Sequence, residues 1–238
     1  MSQITVTLPD NSARSYESGV TPQEIAESIG SRLAQDALAA QVNGQSVDLN
    51  VPIEADAKVA ILTGDSPEGH EVLLHSTAHL MAHAVKELFP DAKVSIGPAI
   101  ENRFYYDFEI DGTFSDKDLV RIEKKMRELA ANDHVVTRME LTRGEAVKLF
   151  NKMNESYKVE IIEDIESDDN ISAYTQGDFT DLCRGPHVPL TGKIKYFKLL
   201  NTSGAYWRGN ENNTMLQRIY GTAFSSKKEL NKYLNFLE

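Results

Sequence analysis

Apolar and polar positions alternate along residues 3–8, with Ile4, Val6 and Leu8 on one side of a period of two, as in a half-buried strand. Pro9-Asp10-Asn11-Ser12 supplies a turn, and residues 14–17 predict a second short strand. Thr21-Pro22-Gln23-Glu24 predicts a helix start: Thr as N-cap, Pro at the first helical position, and Glu three residues after the cap. Ile25, Ala26 and Ile29 give that helix an apolar face. Residues 39–42 and 46–49 flank Asn43-Gly44 as a hairpin, and 58–62 form an apolar strand. This order within about 60 residues implies a small α+β module of β-grasp type. The turn-rich run 63–69 ends it.

From His70 the period lengthens. Residues 73–88 predict a helix with Pro90 beyond its end, and 93–96 and 104–110 predict strands, the second with Phe104, Tyr106 and Phe108 on one face. Leu119, Ile122, Met126 and Leu129 recur at helical spacing. Residues 135–141 predict a strand and 143–153 a helix. Further strands are expected at 171–179, 194–200 and 215–222. The last helix spans 226–238, with Leu230, Tyr233, Leu234 and Leu237 on one face. That unfinished amphipathic ending reads as a larger protein trimmed.

Composition narrows the class. The 238 residues hold 36 acidic and 25 basic side chains, a net charge of −11, which disfavours a nonspecific nucleic-acid coat. The first 64 residues carry eight acids against three bases, so this part is no basic anchor. A single cysteine excludes a disulfide scaffold. No apolar run approaches the roughly 18–20 residues that span a bilayer, and the start Met1-Ser2-Gln3-Ile4 lacks the pattern of a secretory signal. The expectation is a cytoplasmic protein with no membrane partner.

Two clusters carry candidate chemistry. His75-Ser76-Thr77-Ala78-His79 puts two imidazoles four apart, on one helix face. Asp181-Leu182-Cys183-Arg184-Gly185-Pro186-His187 adds a thiol and a third imidazole. His75, His79, Cys183 and His187 are donors of the types that suit tetrahedral zinc, although each motif alone is also common as structure. His83 lies about 80° round the helix from His75, at ~100° per residue, and reads as supporting or structural. Gly97-Pro98 and Tyr105-Tyr106 read either as a turn and core strand or as a pocket wall.

The runs HSTAHLMAHAVKELFP, IGPAIENRFYYDF, DLCRGPHVP and GAYWRGNENNTMLQRIYGTAF together resemble the bacterial threonyl-tRNA synthetase family, in order and over essentially the whole chain. The resemblance implies an α+β fold. A β-grasp (ubiquitin-like TGS) domain would occupy 1–63, and an α+β editing domain of the threonyl/alanyl-tRNA synthetase type would occupy 64–225. Residues 226–238 would begin a linker helix. The family's class II catalytic and anticodon-binding parts have no counterpart, so neither aminoacylation nor threonyl-adenylate formation is expected. The implied activity is hydrolysis of mischarged seryl-tRNA(Thr). A pocket separates serine from threonine by only ~1–3 kcal/mol, or ~10–200-fold, which makes a second, serine-shaped site useful.

By resemblance His75, His79, Lys158, Asp181, Cys183 and His187 form the site. His75 and Lys158 would hold or activate water, Asp181 would take the serine ammonium or hydroxyl, and Cys183 and His187 would meet the seryl group or ribose. Without the resemblance, Lys158 reads as a solvated lysine and Asp181 as a turn or N-cap residue. Gly97, Pro98, Tyr105 and Tyr106 would line the pocket, with Tyr106 favoured as a π-surface for the terminal adenine. Arg103 departs from the family's usual glycine and is expected to alter the rim or touch the acceptor end. Water activation is expected to need no metal, with Zn²⁺ on His75, His79, Cys183 and His187 as the alternative. The partner is the tRNA(Thr) 3′ end carrying serine, and the fragment is expected to be monomeric. Two other readings stand beside this one: a non-catalytic tRNA- or partner-binding module, and a freestanding zinc-dependent hydrolase acting in trans.

Overall fold

A computed structural model describes residues 2–166 and 170–237. The chain folds as two compact units, Met1–Leu73 with Gly185–Pro189, and Leu74–Arg184 with Leu190–Glu238. Met1 and Glu238, at the ends of the expected N-terminal strand region and C-terminal helix, lie outside the described residues.

In the first unit, β1 (Gln3–Thr7) pairs antiparallel with β2 (Ala13–Glu17) and parallel with β5 (Ala57–Thr63). β3 (Ala37–Val42) joins β5, and β4 (Gln45–Val47) closes the order β2-β1-β5-β3-β4. The β3–β4 turn places Asn43 and Gly44 at φ 52° and 84°, the left-handed pair that a tight hairpin requires. Helix α1 (Pro22–Ile29) starts on a full capping box between Thr21 and Glu24, as its sequence predicts. Ile4, Val6 and Leu8 pack with Ile25, Ile53, Ala57 and Val59 in one core. Ile29 departs from the expected apolar face and is exposed. A second short helix, α2 (Ser31–Asp36), follows at once; its SRLAQD run has no side-chain N-cap and buries no residue, which is why no pattern announced it.

Helix α3 (Pro67–Leu88) begins six residues before the predicted start, and its residues through Leu73 count with the first unit. The first compact unit thus runs to Leu73, ten residues past the expected domain end at 63. Gly185–Pro189 also belongs to the first unit, where the His187 N–H donates to Asp48 Oδ1 at 2.8 Å.

Among the described residues the second unit has two sheets. β8 (Arg103–Glu109) lies between β6 (Lys93–Val94) and β13 (Met215–Phe224), with β12 (Tyr196–Tyr206) outside β13 and β7 (Ala99–Ile100) also paired to β8. The other sheet has the order β11-β10-β9, from β9 (Val136–Leu141), β10 (Ile171–Gln176) and β11 (Phe179–Leu182). The single strand predicted over 171–179 is thus two, because Gly177 at φ 56° turns the chain. Helices α4 (Asp116–Ala131) and α5 (Arg143–Lys152) both start on capping boxes. Helix α6 (Ser156–Glu163) was not foreseen; its N-cap Glu155 makes no side-chain cap bond. Phe150 and Ala146 of α5 pack with Ile162 of α6 and Ile171 and Ala173 of β10. Helix α7 (Lys227–Leu237) buries Leu230 but leaves Leu237 exposed. Among the described residues no helix is long and apolar enough to cross a membrane.

Candidate functional site

Helix α3 is buried on almost every side from Val72 to Val85, so a polar side chain on it must find a partner inside the protein. His79 does so through Nδ1, which lies 3.1 Å from Asp181 Oδ2. Burial is the main cause that drives His79 well below its ordinary pKa, with His75 and Lys158 adding charge repulsion. The ring is therefore neutral. A carboxylate offers only acceptors, so Nδ1 carries the proton and Nε2 the lone pair. His75 stands one turn earlier, 4.8 Å away between ring centroids. Burial brings its pKa down to about 4, against a smaller upward pull from Asp181. Its Nε2 is 2.9 Å from Cys183 Sγ.

Asp181 is the centre of the arrangement. β11 holds it fully buried. Tyr106 Oη donates to its Oδ2 at 2.5 Å, and Lys158 Nζ pairs with its Oδ1 at 2.6 Å. Lys158 Nζ also donates to Tyr106 Oη at 2.9 Å. Burial, followed by the Asp181 charge, raises Tyr106 well above the usual phenol range, so it stays a donor. Lys158 is not the solvated lysine that its sequence reads as without the resemblance: it is 2% exposed, because α6 turns it inward beside Asp181.

These groups close the base of a cleft of about 650 Å³. His75, His79, Tyr106, Lys158 and Cys183 line it, with Gly97 and Pro98 on the wall. Gly97 is required by proximity, since a Cβ there would sit 2.1 Å from Tyr106 Cδ2. Asp181 is not part of the lining. It is enclosed behind Tyr106, His79 and Lys158, which corrects its expected role as a substrate ligand.

Three further expectations change. Tyr106 is 1% exposed, so it presents no ring face on which an adenine can stack. Tyr105 points to the opposite side of β8, where the Arg218 guanidinium carbon lies 3.8 Å from its ring centroid. Arg103 reaches Tyr233 of α7, its Nε donating to Oη at 2.8 Å, and forms no part of the cleft lining. His83 also stays out of the lining and stacks on Phe179, 5.4 Å between centroids, consistent with a structural residue. His187 is placed in the first unit. The cleft also takes in Ile161, Ile165, Ser172, Arg138 and Arg184. The two isoleucines were missed with α6. Arg138 sits on β9, whose sequence carries no motif, while Arg184 stands inside the Asp181–His187 run and was passed over between Cys183 and His187.

Two comparisons bear on this geometry. Residues 4–63 match the TGS domain, and residues 171–220 match the Threonyl and Alanyl tRNA synthetase second additional domain. The chain carries both domains. Asp181 and Cys183 fall inside the second match, whereas His75, Tyr106 and Lys158 precede it. Over 235 residues the chain is 57% identical to the threonine–tRNA ligase of Janthinobacterium sp. (strain Marseille), covering 99% of this chain and 37% of that protein. It is 56% identical over 238 residues to that of Pelobacter propionicus, covering 100% and 37%. The ligase of Marinobacter nauticus is 56% identical over 98% of this chain and 36% of its own length. The chain thus spans about 37% of the length of these relatives.

Proposed function

We propose that this chain hydrolyses the ester of mischarged seryl-tRNA(Thr) and spares threonyl-tRNA(Thr). The observation that carries the reading is the buried Asp181–Tyr106–Lys158–His79 network at the base of the cleft, beside His75 and Cys183. Water attack on an ester needs a held water and a cationic or hydrogen-bonding group where negative charge develops. Lys158 supplies the second. Asp181 and Tyr106 orient its ammonium, and its third N–H is the donor for the oxyanion. A conjugate acid near 4 makes His75 a weak base at neutral pH, so it orients the water rather than storing the proton. Cys183, bonded to His75, meets the seryl group. Similarity to threonine–tRNA ligases and to the second additional domain supports a role in tRNA editing.

Separate His75→Ala and Lys158→Ala variants test these roles on seryl-tRNA(Thr). Loss of an oxyanion donor should slow hydrolysis about 10²–10³-fold; wild-type rates for both variants would overturn the assignment. Absence of hydrolysis by the wild-type chain would instead favour a tRNA- or partner-binding module.

The ligating atoms of His75, His79 and Cys183 lie within 4.8 Å of one another. His79 also turns its Nδ1 toward a carboxylate, as zinc-ligating imidazoles do with their second ring nitrogen. These side chains would hold Zn²⁺, which would supply an acidified water. The Lys158 ammonium counts against it, since its charge already opposes a positive charge at His75 and His79. Metal-free hydrolysis is therefore the proposal. Elemental analysis and activity after chelation check it: activity lost to a chelator and restored by Zn²⁺ would reverse it.

A further inference from the structure

An aminoacyl ester on a terminal ribose belongs to a nucleotide that also bears a phosphodiester on its 5′ side. The same cleft that holds His75 and Lys158 is lined by two arginines, Arg138 and Arg184. Arg138 of β9 stands opposite Tyr174 of β10, and Tyr174 stands opposite Asp181 of β11. Residues in direct register share a sheet face, so the three form one row. Arg138 is two strand spacings, ~10 Å, from Asp181. That is the order of separation between an ester and a guanidinium-bound phosphate at opposite ends of one ribose.

Arg138 is already oriented. Its guanidinium carbon lies 5.8 Å from the centroid of the buried Tyr174 ring. Nη1 donates to Tyr174 Oη at 3.2 Å and to the Arg184 carbonyl at 3.0 Å. The side chain keeps 36% exposure, and Arg184 is exposed beside it in sequence after Cys183. Glu140 Oε1 lies 3.3 Å from Arg138 Nη2, an exposed pair that salt screens. A planar fork held on an aromatic face matches phosphate geometry better than a flexible ammonium does.

We propose that Arg138 and Arg184 form a phosphate subsite at the rim of the cleft, taking the 5′-phosphodiester of the nucleotide whose ester faces His75 and Lys158. The proposal rests on the editing reading above and extends it.

The test is binding of two non-hydrolysable analogues, the serine amide of 3′-amino-3′-deoxyadenosine with and without a 5′-phosphate. The wild-type chain should bind the phosphorylated analogue about tenfold more tightly. In Arg138→Ala and Arg184→Ala variants that ratio should fall toward one, with Arg138→Lys in between. Raising salt should shrink the ratio in the wild type. If Arg138 only braces the loop through the Arg184 carbonyl, its loss weakens both analogues alike and the ratio survives, which overturns the subsite. Equal affinity of the wild type for the two analogues overturns it as well, while seryl-tRNA hydrolysis would leave the editing reading standing. Phosphate-dependent binding without any hydrolysis would retain the subsite and remove the esterase.

Discussion

At the residue scale, the unusual protonation states come from burial rather than from charged neighbours. His75 titrates near 6.5 when free and at about 4 in the folded chain. Protonation therefore favours the unfolded state. Stability is undiminished above about pH 6.5, declines as pH falls through that value toward 4, and then levels, at a cost of about 3 kcal/mol from His75 alone. His79 moves in the same direction and steepens the loss. Urea denaturation at about pH 7.5 and about pH 5 should differ by at least ~2 kcal/mol; coincident curves would show that the imidazoles do not resist protonation. Asp181 offers a second check at this scale. Asp181→Asn leaves the buried Lys158 ammonium without its carboxylate, which should destabilise the fold by about 3–5 kcal/mol in chemical denaturation.

At the scale of elements, the cleft depends on close approach between a loop and a strand. Gly97→Ala places a methyl inside the Tyr106 ring position. Tyr106 must then shift away from Asp181 or the 96–98 segment must rise. The expected cost is about 1–3 kcal/mol, and hydrolysis should fall because the phenol no longer orients Lys158. A variant with both stability and rate intact would mean the wall is more pliant than its geometry indicates. In the first unit, Asp48 accepts the His187 N–H. Asp48→Ala leaves that buried donor short of an acceptor, at a cost of about 1–3 kcal/mol. Hydrogen exchange should show the His187 amide losing protection, while the β1 amides keep theirs. The Thr21 capping box was readable as a helix start, and the helices predicted from spacing around 119–129 and over 143–153 begin on boxes at Ser115 and Thr142. Helix α6 was not readable, because its start makes no side-chain cap bond. Lys158 was therefore placed in the site by resemblance alone.

For the molecule as a whole, the net charge of −11 limits how nucleic acid can be held. If the contacting cations are the two arginines proposed at the cleft, few counterions are released on binding. The slope of log affinity for tRNA against log salt should be about −2 or shallower. A much steeper slope would require a basic surface elsewhere. The gross organisation was legible from periodicity: an alternating strand, a capped helix and an Asn-Gly hairpin predicted the β-grasp unit, and the match over residues 4–63 coincides with it.

The sequence alone determined the α+β class, most strand and helix positions, and the residue types able to do hydrolytic or metal chemistry, since these depend on short-range spacing and local hydrogen bonding. Only the tertiary structure decided what those residues face. Tyr106 became an enclosed donor while neighbouring Tyr105 turned away, because successive strand residues point to opposite faces and burial chooses between them. Asp181 became an anchor behind the cleft, and Arg103 a bond to α7. Arg138 entered the cleft beside Arg184 through a cross-strand register between segments far apart in the chain, a relation that no local pattern encodes.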